Sequence, residues 1–157
     1  MIEREGYWRL VDPYWKIVSI HDGGEAFLQK FQKLPLVSQN LYAAHWTQSE
    51  VRNDGFMQFC SNPTGVLAPE AMMGFNAIGM PKAANIVGEF LAYWGDKYPR
   101  DQEEREEVWQ ALVEKEGYEP GFINGFGYLD EPFFDLLKHE NGGFKVRADA
   151  YAMSGEN

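Results

Sequence analysis

The sequence predicts an all-α fold, a compact multi-helix bundle in which residues 1–157 form a single helical domain. Three observations carry that prediction. Helix punctuation recurs from one end to the other, the clearest apolar periodicity is helical, and no segment resembles a hairpin. The periodicity is plainest after Pro81, where Ala83, Ile86, Val87, Phe90 and Trp94 fall at i, i+3, i+4, i+7 and i+11, the spacing of one helix face.

Taken in order, Asp12-Pro13 combines a capping residue with proline at the first helical position, predicting a short helix over 14–19 that ends before Asp22-Gly23-Gly24. A second helix covers 25–33. From 36 to about 52, Val37, Leu41, Ala44 and Val51 keep helical spacing. Asn53-Asp54-Gly55 then reads as a turn or break, followed by a short helix over 56–61. Ala68-Pro69-Glu70 opens a helix to about Ile78, and Pro81 opens the next. Tyr98-Pro99 starts an acidic helix that runs to Glu116 and stops at Gly117. Residues 121–127 are a glycine-rich loop, and 129–139 is helical with Asp130 as its cap. Beyond Asn141-Gly142-Gly143 two readings stay open. Phe144-Lys145-Val146-Arg147 alternates like a strand, and a frayed helix fits equally well.

Composition narrows the function. The chain is 45% hydrophobic and carries 11 Phe, 8 Tyr and 5 Trp, ample for a core of its own. No apolar run approaches the ~18 residues of a membrane span, and the N-terminus lacks the basic start and apolar stretch of a signal peptide. One cysteine, Cys60, permits no internal disulfide. These features predict a cytoplasmic protein. The net charge of −10 argues against direct contact with nucleic acid or anionic membrane, which attract basic surfaces. Residues 96–120 hold nine acids and four bases, net −5, so half the excess sits in a sixth of the chain.

On a helical wheel at 100° per residue, Glu103, Glu106, Glu107, Gln110 and Glu114 fall within about 60° of one direction, and Val108, Trp109 and Leu112 fall opposite. The macrodipole accounts for acids in the first turn, Asp101, Glu103 and Glu104. It does not account for Glu114. The Glu103–Glu106 and Glu103–Glu107 neighbours repel, each at a cost of ~0.2–0.5 kcal/mol, and Arg105, beside the core face, relieves them only in part. A solvated helix face is the simplest explanation of such a strip. The sharper one is imitation of a phosphate backbone, since Glu103, Glu104, Glu106 and Glu107 place four carboxylates within about 7 Å of helix. A DNA-sized footprint needs more acid, from a second subunit or from Asp130, Glu131, Asp135 and Glu140.

The most distinctive run is residues 50–65. Glu50 and Asn53 precede the turn, Phe56 and Phe59 suit one buried face, and Gln58 and Asn62 are suited to bonding turn backbone. Bottom-up, this is a corner between two helices with Gly55 where φ turns positive. The run resembles the signature of the DNA-mimic protein family: Glu, two residues, Asn-Gly-Gly-Phe, then Gln-Phe-Phe, Asn and Gly. Here it stands as Glu50, Asn53-Asp54-Gly55-Phe56, Gln58-Phe59, Asn62 and Gly65. The likeness continues through Ala77-Ile78-Gly79 and Leu129-Asp130-Glu131-Pro132-Phe133-Phe134, covering about residues 36–139. Asp54 departs from it, standing where the family usually has Gly. The resemblance implies an all-helical domain, often a homodimer. It further implies an acidic surface that, in the best-known member, occupies a transcription factor's DNA site.

Other chemistries find little support. His45, Glu50 and Asp54 lie close in sequence, but no His pair at i, i+4 and no Cys pair accompanies them, so no metal is expected. Cys60 has no base near it in sequence and reads as a buried small hydrophobe. Residues 121–127 lack the strand and the Gly-Lys-Ser/Thr ending of a phosphate loop. The expectation is a non-enzymatic protein without cofactor, offering Glu103, Glu104, Glu106, Glu107, Glu114, Asp130, Glu131 and Asp135 to a basic partner such as a DNA-binding regulator. The alternative is a helical immunity-type protein that neutralises one partner through an apolar-plus-acidic patch. A remote alternative is an enzyme with its site near Glu50, Asn53 and Asp54.

Overall fold

A computed structural model describes residues 6–15, 23–116 and 126–155. Among them the regular elements are all helical: α1 Gly24–Phe31, α2 Leu36–Ser61, α3 Ala68–Ala77, α4 Pro81–Ala92, α5 Gln102–Glu116, α6 Gly127–His139 and α7 Phe144–Gly155. Shorter 3-10 turns occupy Gly6–Leu10, Asp12–Tyr14, Pro63–Leu67 and Glu140–Gly142. Of the expected helix over 14–19 only Tyr14 and Trp15 are described, at the end of the Asp12–Tyr14 turn, and the rest lies outside the described residues. The Gly117 stop and nearly all of the glycine-rich loop also lie outside them.

Helix α2 is the axis of the fold, with α3, α5, α6 and α7 all packing on it. Its length conceals a break. Gly55 takes φ 83°, ψ 172°, so the predicted corner stands inside one nominal helix. The second half starts at Phe56 with orphan N–H groups, and the first is taken by Asp130 Oδ1 of α6, 3.0 Å from Phe56 N. Asp130 thus caps α2's second half and not its own helix, which begins earlier, at Gly127. The corner points Phe56 and Phe59 into an aromatic cluster of the core. Phe56 stacks on Phe90 at 5.2 Å and meets Phe133 edge-on at 5.1 Å, and Phe126 closes on Phe90 at 5.0 Å. Such offset and edge contacts each add about 0.5–1.5 kcal/mol beyond area burial.

Two charged side chains do structural work that local spacing does not reveal. The carboxylate of Glu140 is buried and accepts from Lys82 N at 2.7 Å and Ala83 N at 2.9 Å, satisfying the open N-terminus of α4. It is therefore not available to an acidic surface. Arg105 on α5 is 1% exposed. Its Nε donates to Cys60 O at 3.0 Å, Nη2 to Asn62 O at 2.8 Å, and Nη1 to Pro99 O at 3.2 Å and Arg100 O at 2.9 Å. The guanidinium also lies 5.7 Å from the Tyr98 ring centre.

The acidic helix starts later than Tyr98-Pro99 suggests. Tyr98 donates its hydroxyl to Gly65 O at 2.7 Å, Arg100 pairs with Glu70 at 2.7 Å, and Asp101 Oδ2 accepts from Glu104 N at 3.1 Å. Residues 98–100 are spent on anchoring, and the Asp101 cap sets the first turn at Gln102. The C-terminal segment is helix, not strand. Its buried positions Phe144, Ala148 and Ala152 repeat every four residues, a stripe too weakly apolar to show beside the local alternation.

At the N-terminal side, His45 is packed among Tyr7, Trp8 and Trp15, and Trp15 stacks on Trp46 at 4.7 Å. The Tyr7 hydroxyl lies 2.7 Å from His45 Nδ1. Burial holds the imidazole down to about 4, against about 6.5 in an unfolded chain. Between those values the unfolded chain binds the extra proton. Stability from this group is thus complete above about pH 6.5 and is lost as pH falls through 4, about 3 kcal/mol in all. Urea denaturation of wild type and His45→Phe at pH 7 and pH 4 should show the gap between them shifting by that order. Charged groups of the same wall, Arg52, Lys145 and Asp149, are present in both proteins and cancel. A constant gap overturns this.

Candidate functional site

The wheel reading of α5 can be followed atom by atom. Its inward face carries Arg105, with Val108 and Trp109 packed against the core and Trp109 lying 4.9 Å from Phe126. Glu103, Glu104, Glu106, Glu107 and Glu114 are all exposed. Glu103, Glu106, Glu107, Gln110, Ala111 and Glu114 together line one shallow open depression, while Glu104 stands to one side of it. Among the described residues no lysine, arginine or histidine lies within ion-pair distance of these five carboxylates.

Arg105 was expected to relieve their repulsion in part, and it pairs with none of them. Its guanidinium is turned inward to four carbonyls, because those groups need donors and the glutamates have water. Among the described residues, the strip from Glu103 to Glu114 therefore runs about 17 Å along the helix with no cation paired to it.

The other acids of the predicted surface divide. Glu131 and Asp135 are exposed on α6, one helical turn apart, with Asp135 Oδ1 3.9 Å from His139 Nε2. Asp130 leaves that group. It is half-buried beneath Gly55 and committed to Phe56 N. Burial raises its carboxyl above the ordinary range, the Phe56 N–H draws it down, and Glu131 pushes it up again.

The motif over 50–65 is packed as a corner. Phe56 and Phe59 are fully buried. Gln58 and Asn62 do not bond the turn backbone as expected. Asn62 Nδ2 donates to Glu50 Oε2 at 3.2 Å and Gln58 Nε2 reaches Asn62 Oδ1 at 3.5 Å, a side-chain ladder tying the two halves of α2 together across the break. Gly65 lies where a Cβ would come 2.5 Å from Phe59 O, so only glycine permits that approach. Asn53 and Asp54 are exposed, and the Glu50 carboxylate is taken up by Asn62. Cys60 is buried and donates to Met57 O at 3.0 Å. Burial pushes its thiol up to about 12, with Arg105 only partly opposing. A thiol so raised is a poor nucleophile at neutral pH.

Residues 32–154 match the family described as DMP19-like protein. The chain belongs to that family. The match takes in the 50–65 motif, all of α2–α6 and nearly all of α7. No curated protein and no solved structure matches the chain. Among the described residues, no helix is long and apolar enough to cross a membrane.

Proposed function

We propose that this member of the DMP19-like family is a DNA mimic of the cytoplasm, without catalysis or cofactor, that occupies the DNA-binding site of a basic regulator. The observation that carries the reading is the α5 strip, exposed and unscreened among the described residues. Four carboxylates line about 17 Å of it, and Glu104 beside it makes five. One strand of duplex DNA places a phosphate every ~3.4 Å, about five over the same length. The strip therefore corresponds to a single phosphate strand. Its complement, on this reading, is the acid of Glu131 and Asp135 or the same helix of a second copy in a homodimer. Long-range charge attraction gives such a decoy fast association and a steep salt dependence.

The test is displacement of DNA from basic DNA-binding regulators of the same cell, at low and moderate salt. The comparison is between the wild-type chain and the quadruple variant Glu103→Lys, Glu106→Lys, Glu107→Lys and Glu114→Lys. The variant is expected to lose at least ~100-fold in affinity, with most of the salt dependence. Unchanged displacement overturns the mimic. A second reading, neutralisation of one partner through an apolar-plus-acidic patch, draws on the exposed Tyr128. Its hydroxyl meets that of Tyr93 at 2.9 Å with Glu89 close by. In that case Tyr128→Ala weakens binding more than charge reversal does.

A further inference from the structure

A groove bounded by α2, α6, α7 and the Gly6–Leu10 turn stands apart from the rest of this acidic molecule. Two adjoining depressions, of about 380 and 580 Å³, share Gln48, Arg52, Phe144 and Lys145. The smaller extends to Lys138 and the larger to Trp8. We propose that this groove binds a small aromatic anion, a flat ring bearing a carboxylate or phosphate group. The size is that of a small-ligand site.

The charge selects an anion. Arg52, Lys138 and Lys145 face one carboxylate, Asp149, in a chain whose net charge is −10. Lys145 Nζ is shared with Asp149 at 2.8 Å, so Arg52 is the anchor. It is exposed, and among the described residues its guanidinium bonds only Gln48 Oε1, at 3.3 Å. That leaves a planar fork of donors suited to a carboxylate or phosphate. The ring follows from the walls, where the half-buried Tyr7 and Trp8 line the larger depression beside the largely buried Phe144. Burial keeps His45 neutral at pH 7, so the cationic character rests on Arg52, Lys138 and Lys145.

The same charge balance separates a small anion from an acidic protein segment. A mono- or dianion held in the smaller depression lies against three cations of its lining, Arg52, Lys138 and Lys145. A segment with several acids must extend beyond them over a surface that repels it. The inference is independent of the α5 strip.

The probe is phenyl phosphate, measured by calorimetry and thermal unfolding of the full chain, with phenol and inorganic phosphate as its separate halves. Saturable binding is expected, with a Tm rise of about 3–5 °C at tenfold excess over Kd. Each half should bind at least ~10-fold more weakly. Arg52→Gln should lose ~10-fold with its helical circular dichroism unchanged. If that variant does not fold, Lys138→Gln on the exposed end of α6 decides, with an expected ~3-fold loss. The proposal is overturned by absent saturation, by phenol binding as well as phenyl phosphate, or by variants that fold and bind as wild type does. Tighter binding of an acidic peptide, four glutamates and a phenylalanine, also overturns it, in favour of a protein ligand.

Discussion

Arg105→Met should destabilise the fold by at least about 4 kcal/mol, enough to leave much of the chain unfolded at 37 °C. Two effects oppose each other here. Removing a buried charge relieves its desolvation cost, and in some proteins a hydrophobic replacement of similar volume is stabilising. Against that stand four carbonyls, those of Cys60, Asn62, Pro99 and Arg100, that receive their donors from this one guanidinium. Each left unsatisfied costs ~1–3 kcal/mol. Methionine restores none of them, so the orphaned carbonyls win. The Tyr98 ring beneath the cation adds its own loss. Arg105→Lys should recover less than half of the deficit, because a single ammonium has three donors and cannot span carbonyls on two sides of the side chain. Urea denaturation followed by circular dichroism reads both values, and a cost below ~1 kcal/mol for methionine overturns the argument. The same bonds join α5 to the end of α2 and to residues 99 and 100. Arg105→Met should therefore weaken partner binding too, with every carboxylate of the strip in place.

That double role explains which parts of the molecule could be read from the sequence. The α4 stripe and the α5 strip were legible because both are local. Helix geometry alone decides which residues share a face once the helix is recognised. Arg105 and Glu140 were not legible because each has decisive partners far along the chain, Cys60 at 45 residues from Arg105 and Ala83 at 57 from Glu140. In sequence, Glu140 looks like Glu131, and Asp130 reads as a surface acid and the cap of its own helix, not as the cap of α2's second half. Only the fold shows two of the three turned inward to cap helices, and that subtracts them from the acid on offer to a partner. The last helix escaped recognition for a different reason. Two of its three buried positions are alanines, which stabilise a helix by propensity and contribute little apolar contrast. The basic groove was invisible because Arg52, Lys138 and Lys145 come from three helices, and nothing local links them.

The corner at Gly55 should show the second large effect, and a coupling that identifies its cause. At φ 83°, ψ 172° any side chain is strained, by about 1–3 kcal/mol. A Cβ there would also lie 2.5 Å from Asp130 Oδ2. Gly55→Ala must therefore push the Asp130 carboxylate off the Phe56 N–H that it caps, adding about 1 kcal/mol for the lost cap. A total near 3 kcal/mol is expected for Gly55→Ala, and about 1 kcal/mol for Asp130→Ala. Asp130→Asn should cost less, since its amide oxygen can still accept. Because the alanine at 55 already displaces the cap, the double variant should cost about 1 kcal/mol less than the sum of the singles. Asp54→Gly is the control: the side chain is exposed, and the change should fall within about 0.5 kcal/mol of neutral. Urea midpoints of the four proteins of the cycle supply the coupling. If the costs simply add, Gly55 is required for its backbone angle alone and the inward carboxylate is not what holds the corner. If they couple as expected, one glycine and one aspartate 75 positions apart form a single device. That device seats Phe56 and Phe59 in the core and directs the second half of α2, at whose end the Cys60 and Asn62 carbonyls hold the acidic helix in place.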